Sequence, residues 1–198
     1  GVAKRGYMSE IADCVDLDAV KFPYETFDGL ENKIVYFETS RGCPFRCSYC
    51  LSSIEKGIRQ FSMDYVKKGF DAFFANNIPL VKLIDRTFNA DSKRAKEIIE
   101  YIIANSKSTK VHFEIDPGIL TDELTDVLAS APVDLFQLEM GIQSANPETL
   151  KAVNRNEKLE KVAQNIERLK KADNMHIHLD LIAGLPFEDY KSFEKSFE

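Results

Sequence analysis

The chain has 198 residues, of which 44% are hydrophobic and 29% charged, and its formal net charge is −6 at pH 7. These proportions are typical of a soluble globular protein, and no apolar run is long enough to span a bilayer. The negative charge argues against nonspecific attraction to nucleic acid, which depends on positive charge, although it does not exclude a local basic patch. Neither a membrane nor a nucleic acid is therefore an expected partner.

A chain of this length can bury one sizeable core, and it contains no proline-, serine- or glycine-rich linker. We therefore predict a lead-in or linker segment over residues 1–30, followed by one core domain over residues 31–198. The lead-in has no repeating pattern, and its second half is expected to run extended into the first strand.

Short β-like runs alternate with helical runs along the core domain, which is the pattern of repeated βα units and a parallel α/β sheet. The predicted strands are 34–39, 80–85, 110–115, 134–139 and 176–182. The predicted helices are 63–76, 92–105, 121–130, 147–153 and 159–172, with Asp91 and Thr121 as helix starts. The chain stops as a further helix begins, so we expect a fold truncated after about five βα units.

Several predicted strands carry polar residues on one face only. Since side chains alternate along a strand, three sets share a face: His112, Glu114 and Asp116; Gln137 and Glu139; and His176, His178 and Asp180. We expect the opposite, apolar faces to pack under helices. The polar faces then line a lumen filled by water or a polar ligand, because burying them dry would be costly. The alternative is that some of these are edge strands with one solvated face.

Three cysteines lie close together in the sequence TSRGCPFRCSYC at 39–50, as Cys43, Cys47 and Cys50. Three thiolates on a cluster of four irons and four sulfides leave one iron open to a substrate or cosubstrate. A structural zinc site needs a fourth ligand, and the candidates, Cys14 and His112, are distant and fit no usual zinc pattern. With four cysteines and no secretory signal, we expect reduced thiols in the cytoplasm.

The C-x3-C-x2-C spacing and the residues around it resemble the cluster loop of the radical S-adenosylmethionine (radical SAM) superfamily. The resemblance implies a [4Fe-4S] cluster on Cys43, Cys47 and Cys50, whose open iron is chelated by the amino and carboxylate groups of S-adenosylmethionine. It implies one-electron cleavage of that cosubstrate to a 5′-deoxyadenosyl radical, which abstracts hydrogen from a substrate that remains unknown. An electron donor such as flavodoxin or ferredoxin is implied too, as is a partial, open (βα)6 barrel.

Five further residues match positions of the family's cosubstrate site. The resemblance implies that Tyr49 lies near the adenine and that Glu114 binds the ribose hydroxyls or nearby groups. Gln143, Arg155 and Asp180 match the spacing of the oxygen-independent coproporphyrinogen oxidase branch, where such residues help hold S-adenosylmethionine. An arginine can pair with a carboxylate, and the others can accept from hydroxyls and an ammonium group. The alternatives are a solvated strand end for Glu114, a surface position for Arg155 and a structural hydrogen bond for Asp180.

The end of the second predicted strand departs from the commonest family pattern. Many members have Gly-Gly-Glu there, whereas this chain has IDRTFN at 84–89, so backbone carbonyls would receive the methionine ammonium instead. This stretch, with DLD at 16–18 and FPY at 22–24, resembles the branch of cobalamin-dependent radical SAM enzymes and methylthiotransferases. That likeness implies that a cobalamin-binding domain would precede Gly1. His176 and His178 are too few to bind a metal and are expected to be polar lumen residues.

The sequence thus predicts a cytoplasmic radical SAM iron-sulfur enzyme, an oxidoreductase or methyltransferase-like enzyme whose final reaction is open. The alternative is a noncatalytic iron-sulfur or zinc-binding module that uses the cysteines for structure or redox sensing. That alternative predicts a metal site indifferent to S-adenosylmethionine. A third hypothesis is an enzyme fragment that assembles its cluster but cleaves the cosubstrate weakly.

Overall fold

The computed structural model describes residues 3–4, 7–8, 14–54, 57–155 and 158–198. Its centre is a parallel five-stranded sheet in the order β3, β6, β7, β8, β9, with bounds β3 Ile34–Phe37, β6 Leu80–Leu83, β7 Lys110–Ile115, β8 Phe136–Gln143 and β9 His176–Leu181. Two antiparallel pairs accompany it: β1 Ala3–Lys4 with β2 Tyr7–Met8, and β4 Ser40–Cys43 with β5 Gly57–Gln60.

Helices connect the parallel strands, and in the described residues they are α1 Met63–Ala75, α2 Ser92–Asn105, α3 Asp122–Ala129, α4 Pro147–Ala152, α5 Leu159–Ala172 and α6 Tyr190–Phe197. The predicted helix starts are confirmed, because Asp91 accepts a hydrogen bond from the Arg94 backbone and Thr121 accepts one from the Leu124 backbone. Such caps satisfy amide groups that have no partner within the helix. The predicted open α/β sheet is therefore confirmed, with each of its strands in the expected order.

The fourth parallel strand lies later in the chain than predicted. Asp134 has a left-handed backbone, with φ of 63°, and so belongs to the turn before β8 rather than to the strand. At its other end β8 continues to Gln143, with an irregularity in its pairing to β9 between Gly141 and Gln143. The extension carries the strand end into the region where the cysteine loop lies.

The apolar faces of the inner strands form the core, as predicted. Val81, Val111 and Phe136 are paired neighbours across β6, β7 and β8, and all are fully buried. The same expectation is wrong for Leu179 in β9, which is 48% exposed, whereas Ile177 of the same strand packs against the core. β9 is the last strand of the described sheet, so it has a neighbour on one side only.

No helix in the described ranges is long and apolar enough to cross a membrane.

Residues 14–30 lie against the core domain. The ring of Phe22 is 5.6 Å from that of Phe73 in α1, and Phe27 is 6.0 Å from the same ring. The Tyr24 hydroxyl donates to the Tyr36 carbonyl at 2.9 Å and accepts from the Tyr36 amide at 2.7 Å. It thereby occupies the free edge of β3, where an unpaired backbone would invite other strands. The domain boundary at residue 30 stays a prediction.

Removing the Tyr24 hydroxyl tests this edge contact. We expect Tyr24→Phe to lower the free energy of unfolding by about 1 kcal/mol, since two hydrogen bonds to the strand are lost and water replaces them only in part. Tyr190→Phe is the matched control, because Tyr190 is 78% exposed. Urea denaturation of both variants measures the difference, and equal effects would contradict the role given to Tyr24.

Candidate active site

A cavity of about 230 Å³ opens at the carboxyl ends of the parallel strands, where loops of such sheets carry function. Its lining includes each residue assigned to a site from the sequence: Cys43, Cys47, Tyr49, Cys50, Glu114, Gln143, Arg155 and Asp180. Further lining residues are Phe45, Arg86, Thr87, Ile115, Asp116, Glu139 and Gly141. The fold therefore gathers residues from distant parts of the sequence around one space.

The cysteines lie on the loop that joins β4 to β5. Cys43 ends β4, and its Sγ is 3.2 Å from the Thr87 Oγ1 beyond β6. The Cys50 amide donates to the Cys47 carbonyl at 3.1 Å, which closes a turn between the last two cysteines. Cys43, Cys47 and Cys50 are all free thiols, and Cys47 is buried. The loop thus presents three thiols to one cavity.

A buried carboxyl group fixes the start of this loop. Asp85, two residues after the end of β6, accepts hydrogen bonds from the Thr39 amide at 2.7 Å, the Thr39 hydroxyl at 2.5 Å and the Ser40 hydroxyl at 2.7 Å. Burial raises the pKa of Asp85 above its ordinary value, although these hydrogen bonds act to lower it. The carboxyl group ties the end of one strand to the entry of the cysteine loop.

The raised pKa of Asp85 predicts a specific pH dependence. A folded pKa above the unfolded value means that stability falls as pH rises from the unfolded pKa through the folded one. We expect Asp85→Asn to keep an acceptor for the Thr39 amide but to have no carboxyl group that must ionise. The variant should therefore become more stable relative to the wild type as the pH rises from the unfolded pKa of Asp85 to its folded pKa. Urea denaturation at several values between about pH 4 and 7 measures it. Parallel profiles for the two proteins would contradict the expectation.

Arg155 lies in the cavity wall. Its Nη2 donates to the Asp116 Oδ2 at 3.1 Å and to the Gly141 carbonyl at 2.6 Å, and its Nη1 lies 3.4 Å from the Tyr49 hydroxyl. The side chain is only 11% exposed, so the alternative of a surface position is wrong. Burial raises the pKa of Tyr49 to about 12, which keeps its hydroxyl protonated.

Gln143 occupies an unusual backbone position at the end of β8. Its φ is 70°, in the left-handed region that non-glycine residues rarely adopt. Its amide folds back over Gly141, where an added Cβ would lie 2.0 Å from the Gln143 Nε2. A glycine is needed at 141 for the Gln143 side chain to take this position beside the cavity.

Polar side chains of neighbouring strands form the lumen face that the alternation predicted. The Glu139 carboxylate accepts from the Lys82 Nζ at 3.1 Å and faces the His112 Nε2 at 3.2 Å. Burial, and then the negative charge of Glu139, raises the pKa of both Glu114 and Asp180. Glu114 is half-buried in the cavity rather than at a solvated strand end, and Asp180 is exposed, which argues against a buried structural role.

A substitution of Lys82 tests the electrostatics of the lumen face. Burial lowers the pKa of His112, and the positive charge of Lys82 lowers it further. We expect Lys82→Met to raise that pKa, because the imidazolium then forms beside Glu139 without repulsion from the Lys82 ammonium group. Titration of the histidine ring signals by nuclear magnetic resonance measures the change. A His112 pKa that stays the same or falls would contradict this arrangement.

The donor groups in the cavity suit a cluster better than a single ion. A tetrahedral zinc site needs four ligands around one point, and the described lining residues include neither a fourth cysteine nor a histidine. Cys14 is exposed, and the His112 Nε2 faces Glu139. Across the described residues no three or more His, Cys, Asp or Glu side chains are gathered around the position of a single metal ion. Three thiols from one loop fit a cluster that keeps one iron open.

His176 and His178 lie two residues apart on β9. Their rings are 4.4 Å apart in an edge-to-face arrangement on the exposed β9.

Sequence reasoning missed several residues of the wall. Asp116 was placed on the lumen face with Glu114 but was not assigned to the site, although its place at the end of β7 was a usable signal. Arg86 and Thr87 lie within the stretch from which backbone carbonyls were expected, and their side chains were not assigned a role. The Gly141 carbonyl had no signal at all, because its contact with Arg155 depends on how α4 returns to the sheet.

Comparisons with known proteins agree on one family. The model of the "Radical SAM superfamily" matches residues 37–198. A probable threonylcarbamoyladenosine tRNA methylthiotransferase of Archaeoglobus fulgidus is 23% identical over 193 residues, covering 92% of this chain and 45% of that protein. The ribosomal protein uS12 methylthiotransferase RimO of a Sulfurovum species is 25% identical over 182 residues, covering 83% and 39%. The chain spans less than half the length of these relatives.

Solved structures share the fold. The methyltransferase TsrM from Kitasatospora setae, solved with cobalamin and a [4Fe-4S] cluster bound, has a TM-score of 0.71 at 18% identity, covering 83% of this chain and 31% of that one. Coproporphyrinogen III oxidase (HemN) from Escherichia coli has a TM-score of 0.58 at 18% identity, covering 83% and 40%. The family match over most of the chain confirms the sequence prediction: the protein belongs to the radical SAM superfamily, whose cofactors are a [4Fe-4S] cluster and S-adenosylmethionine.

Proposed function

We propose that this chain forms the catalytic core of a radical SAM enzyme, with the cluster on Cys43, Cys47 and Cys50 and S-adenosylmethionine in the same cavity. The observation that carries the proposal is the shared lining: three cysteines and five predicted cosubstrate residues, drawn from positions 43 to 180, surround one space. Such convergence is expected of a site, and it would be a coincidence for a structural metal module.

The positions of the side chains support a role for each. Arg155, whose Nη1 lies 3.4 Å from the Tyr49 hydroxyl on the cysteine loop, suits the methionine carboxylate. Glu114, Gln143 and Asp180 offer acceptors for the ribose hydroxyls and the ammonium group. Tyr49, on the loop itself, suits the adenine. A reduced cluster on these cysteines would supply one electron to the sulfonium, and an external donor such as flavodoxin or ferredoxin would replace that electron.

The relatives differ in their substrates, so only the first chemical step can be proposed for this chain. The relatives named above modify a tRNA nucleoside or a ribosomal protein, and TsrM is a methyltransferase. We therefore propose formation of the 5′-deoxyadenosyl radical and leave the final acceptor open. The fold likeness to TsrM and to the cobalamin-dependent OxsB supports cobalamin as a further cofactor of the whole protein. The free thiols support a reducing compartment such as the cytoplasm.

Anaerobic reconstitution with iron and sulfide tests the proposal. We expect about four irons per chain and, after reduction with dithionite, formation of 5′-deoxyadenosine from S-adenosylmethionine, detected by chromatography. Cys47→Ala should lose both the iron and the product. Cys14→Ala is the matched control, because Cys14 is an exposed free thiol outside the cavity lining.

The noncatalytic alternative predicts a different result. A chain that takes up only zinc would support the structural module. A cluster that is equally stable in Cys14→Ala and Cys47→Ala would exclude Cys47 as one of its ligands. A stable cluster on Cys43, Cys47 and Cys50 that never cleaves S-adenosylmethionine would leave the redox-sensing module as the better account.

A further inference from the structure

The three residues that follow α4, at 153–155, contact the cysteine loop. The Ser48 amide donates to the Val153 carbonyl at 3.0 Å. The Asn154 Nδ2 donates to the Arg46 carbonyl at 2.9 Å. Both loop residues flank the buried Cys47, so the loop is held on either side of its central thiol.

The backbone of this segment is set by the end of α4. Asn154 has φ of 58°, and its amide donates to the Lys151 carbonyl at 3.1 Å. The Arg155 amide donates to the Leu150 carbonyl at 2.8 Å. Asparagine tolerates the left-handed conformation better than most residues. The helix end therefore aims the Asn154 side chain at the loop and the Arg155 side chain at the cavity.

Asp116 holds the other end of the segment. Its Oδ2 accepts from Arg155 at 3.1 Å, and its side chain is 6% exposed. Its Oδ1 accepts from the Gly118 amide at 2.8 Å. Asn89 fixes its backbone, donating to the Asp116 carbonyl at 2.8 Å and accepting from its amide at 2.9 Å. A carboxylate held at this many points gives the guanidinium one preferred orientation.

We propose that residues 153–155 form a brace between the cysteine loop and the cosubstrate pocket, with Asn154 and Asp116 as its positioning residues. Asn154 holds the loop that carries the thiols, and Asp116 holds Arg155 toward the cavity. The inference rests on the proposed function for Arg155, but the contact of Asn154 with the loop is independent of it. Substitutions of Asn154 and Asp116 should therefore have different effects.

The contact of Asn154 with the cysteine loop, which we call the loop arm of the brace, is tested on the chain before iron is added. Asn154→Gly keeps a residue that adopts the left-handed backbone and removes the donor to Arg46. We expect Cys47 to be alkylated by iodoacetamide about fivefold faster than in the wild type, as followed by mass spectrometry of peptides. Asn77→Gly is the matched control, because Asn77 also has a left-handed backbone after a helix, with φ of 50°, and lies away from the cysteines. A Cys47 rate equal to that of Asn77→Gly would overturn the loop arm and, with it, the brace.

The contact of Asp116 with Arg155, which we call the pocket arm of the brace, is tested on the reconstituted protein. Asp116→Asn keeps an acceptor for the Gly118 amide and removes the negative charge from Arg155. We expect unchanged iron content and about tenfold weaker S-adenosylmethionine binding, measured by titrating the change that the cosubstrate makes in the spectrum of the reduced cluster. Asn154→Gly should instead lose iron faster to a ferrous chelator. Wild-type binding by a folded Asp116→Asn variant would overturn the brace.

The outcomes separate this inference from the proposed function. If the wild type holds no cluster or ignores S-adenosylmethionine, the proposed function fails, and with it the pocket arm. The alkylation comparison still decides whether Asn154 positions the loop. If Asp116→Asn does not fold, as judged by circular dichroism, that comparison alone carries the test.

Discussion

Gly42→Ala is expected to dismantle the hairpin that carries the cysteine loop. Gly42 has φ of 95°, and a Cβ there would lie 2.2 Å from the Gly57 carbonyl oxygen. The partner atom belongs to the backbone of β5, which pairs with Cys43, so a side-chain rotation cannot relieve the clash. We expect the hairpin to open, with a loss of about 3 kcal/mol in the free energy of unfolding and with iron content near zero after reconstitution.

Gly29→Ala separates backbone strain from the clash. Gly29 also has a positive φ, 77°, but nothing lies within 4 Å of an added Cβ. We expect this control to cost about 1 kcal/mol and to leave the iron content unchanged. If Gly42→Ala binds iron as well as Gly29→Ala does, the close approach of β4 and β5 cannot be what shapes the loop.

Phe73→Ala is expected to have the largest effect on stability. Phe73 is fully buried in α1, and its ring is 5.3 Å from that of Phe37 in β3 and 5.6 Å from that of Phe22 in the lead-in. Removing the ring leaves a cavity where the lead-in, the first parallel strand and the first helix meet. We expect a loss of about 4 kcal/mol in the free energy of unfolding, measured with urea.

The control for Phe73 is a phenylalanine that makes little contact. Phe197, in α6, is 83% exposed, and Phe197→Ala should change the free energy of unfolding by less than about 0.5 kcal/mol. A small effect of Phe73→Ala, close to that of the control, would mean that residues 14–30 do not rest on the core as described.

Much of the fold was predictable because its local signals agree with one another. α2 and α5 have the bounds that periodicity predicted, and Asp91 is the cap that its position before a helical run indicated. β7 alternates His112 and Glu114 toward the lumen with Val111 and Phe113 toward the core, and it too has its predicted bounds. The cysteines were found from spacing, since one loop carries all three.

The rest of the site depends on tertiary geometry. The brace at 153–155 could not be predicted, because the bond from Asn154 to Arg46 joins residues 108 positions apart. The start of β8 was misplaced because Asp134 takes a left-handed turn that the residue pattern does not mark. The exposure of Leu179 follows from where β9 lies in the sheet rather than from its own sequence. These features arise from packing between helices and strands, and the local sequence of each element does not indicate that packing.

The central claim is that the three thiols and the cosubstrate residues form one site. The most direct test is the electron paramagnetic resonance spectrum of the reduced, reconstituted chain, recorded with and without S-adenosylmethionine. We predict a [4Fe-4S] signal that shifts when the cosubstrate is added, because the proposed site places the cosubstrate on the open iron beside Arg155. A cluster signal that is identical in both samples would contradict the account, as would a chain that takes up zinc but no cluster.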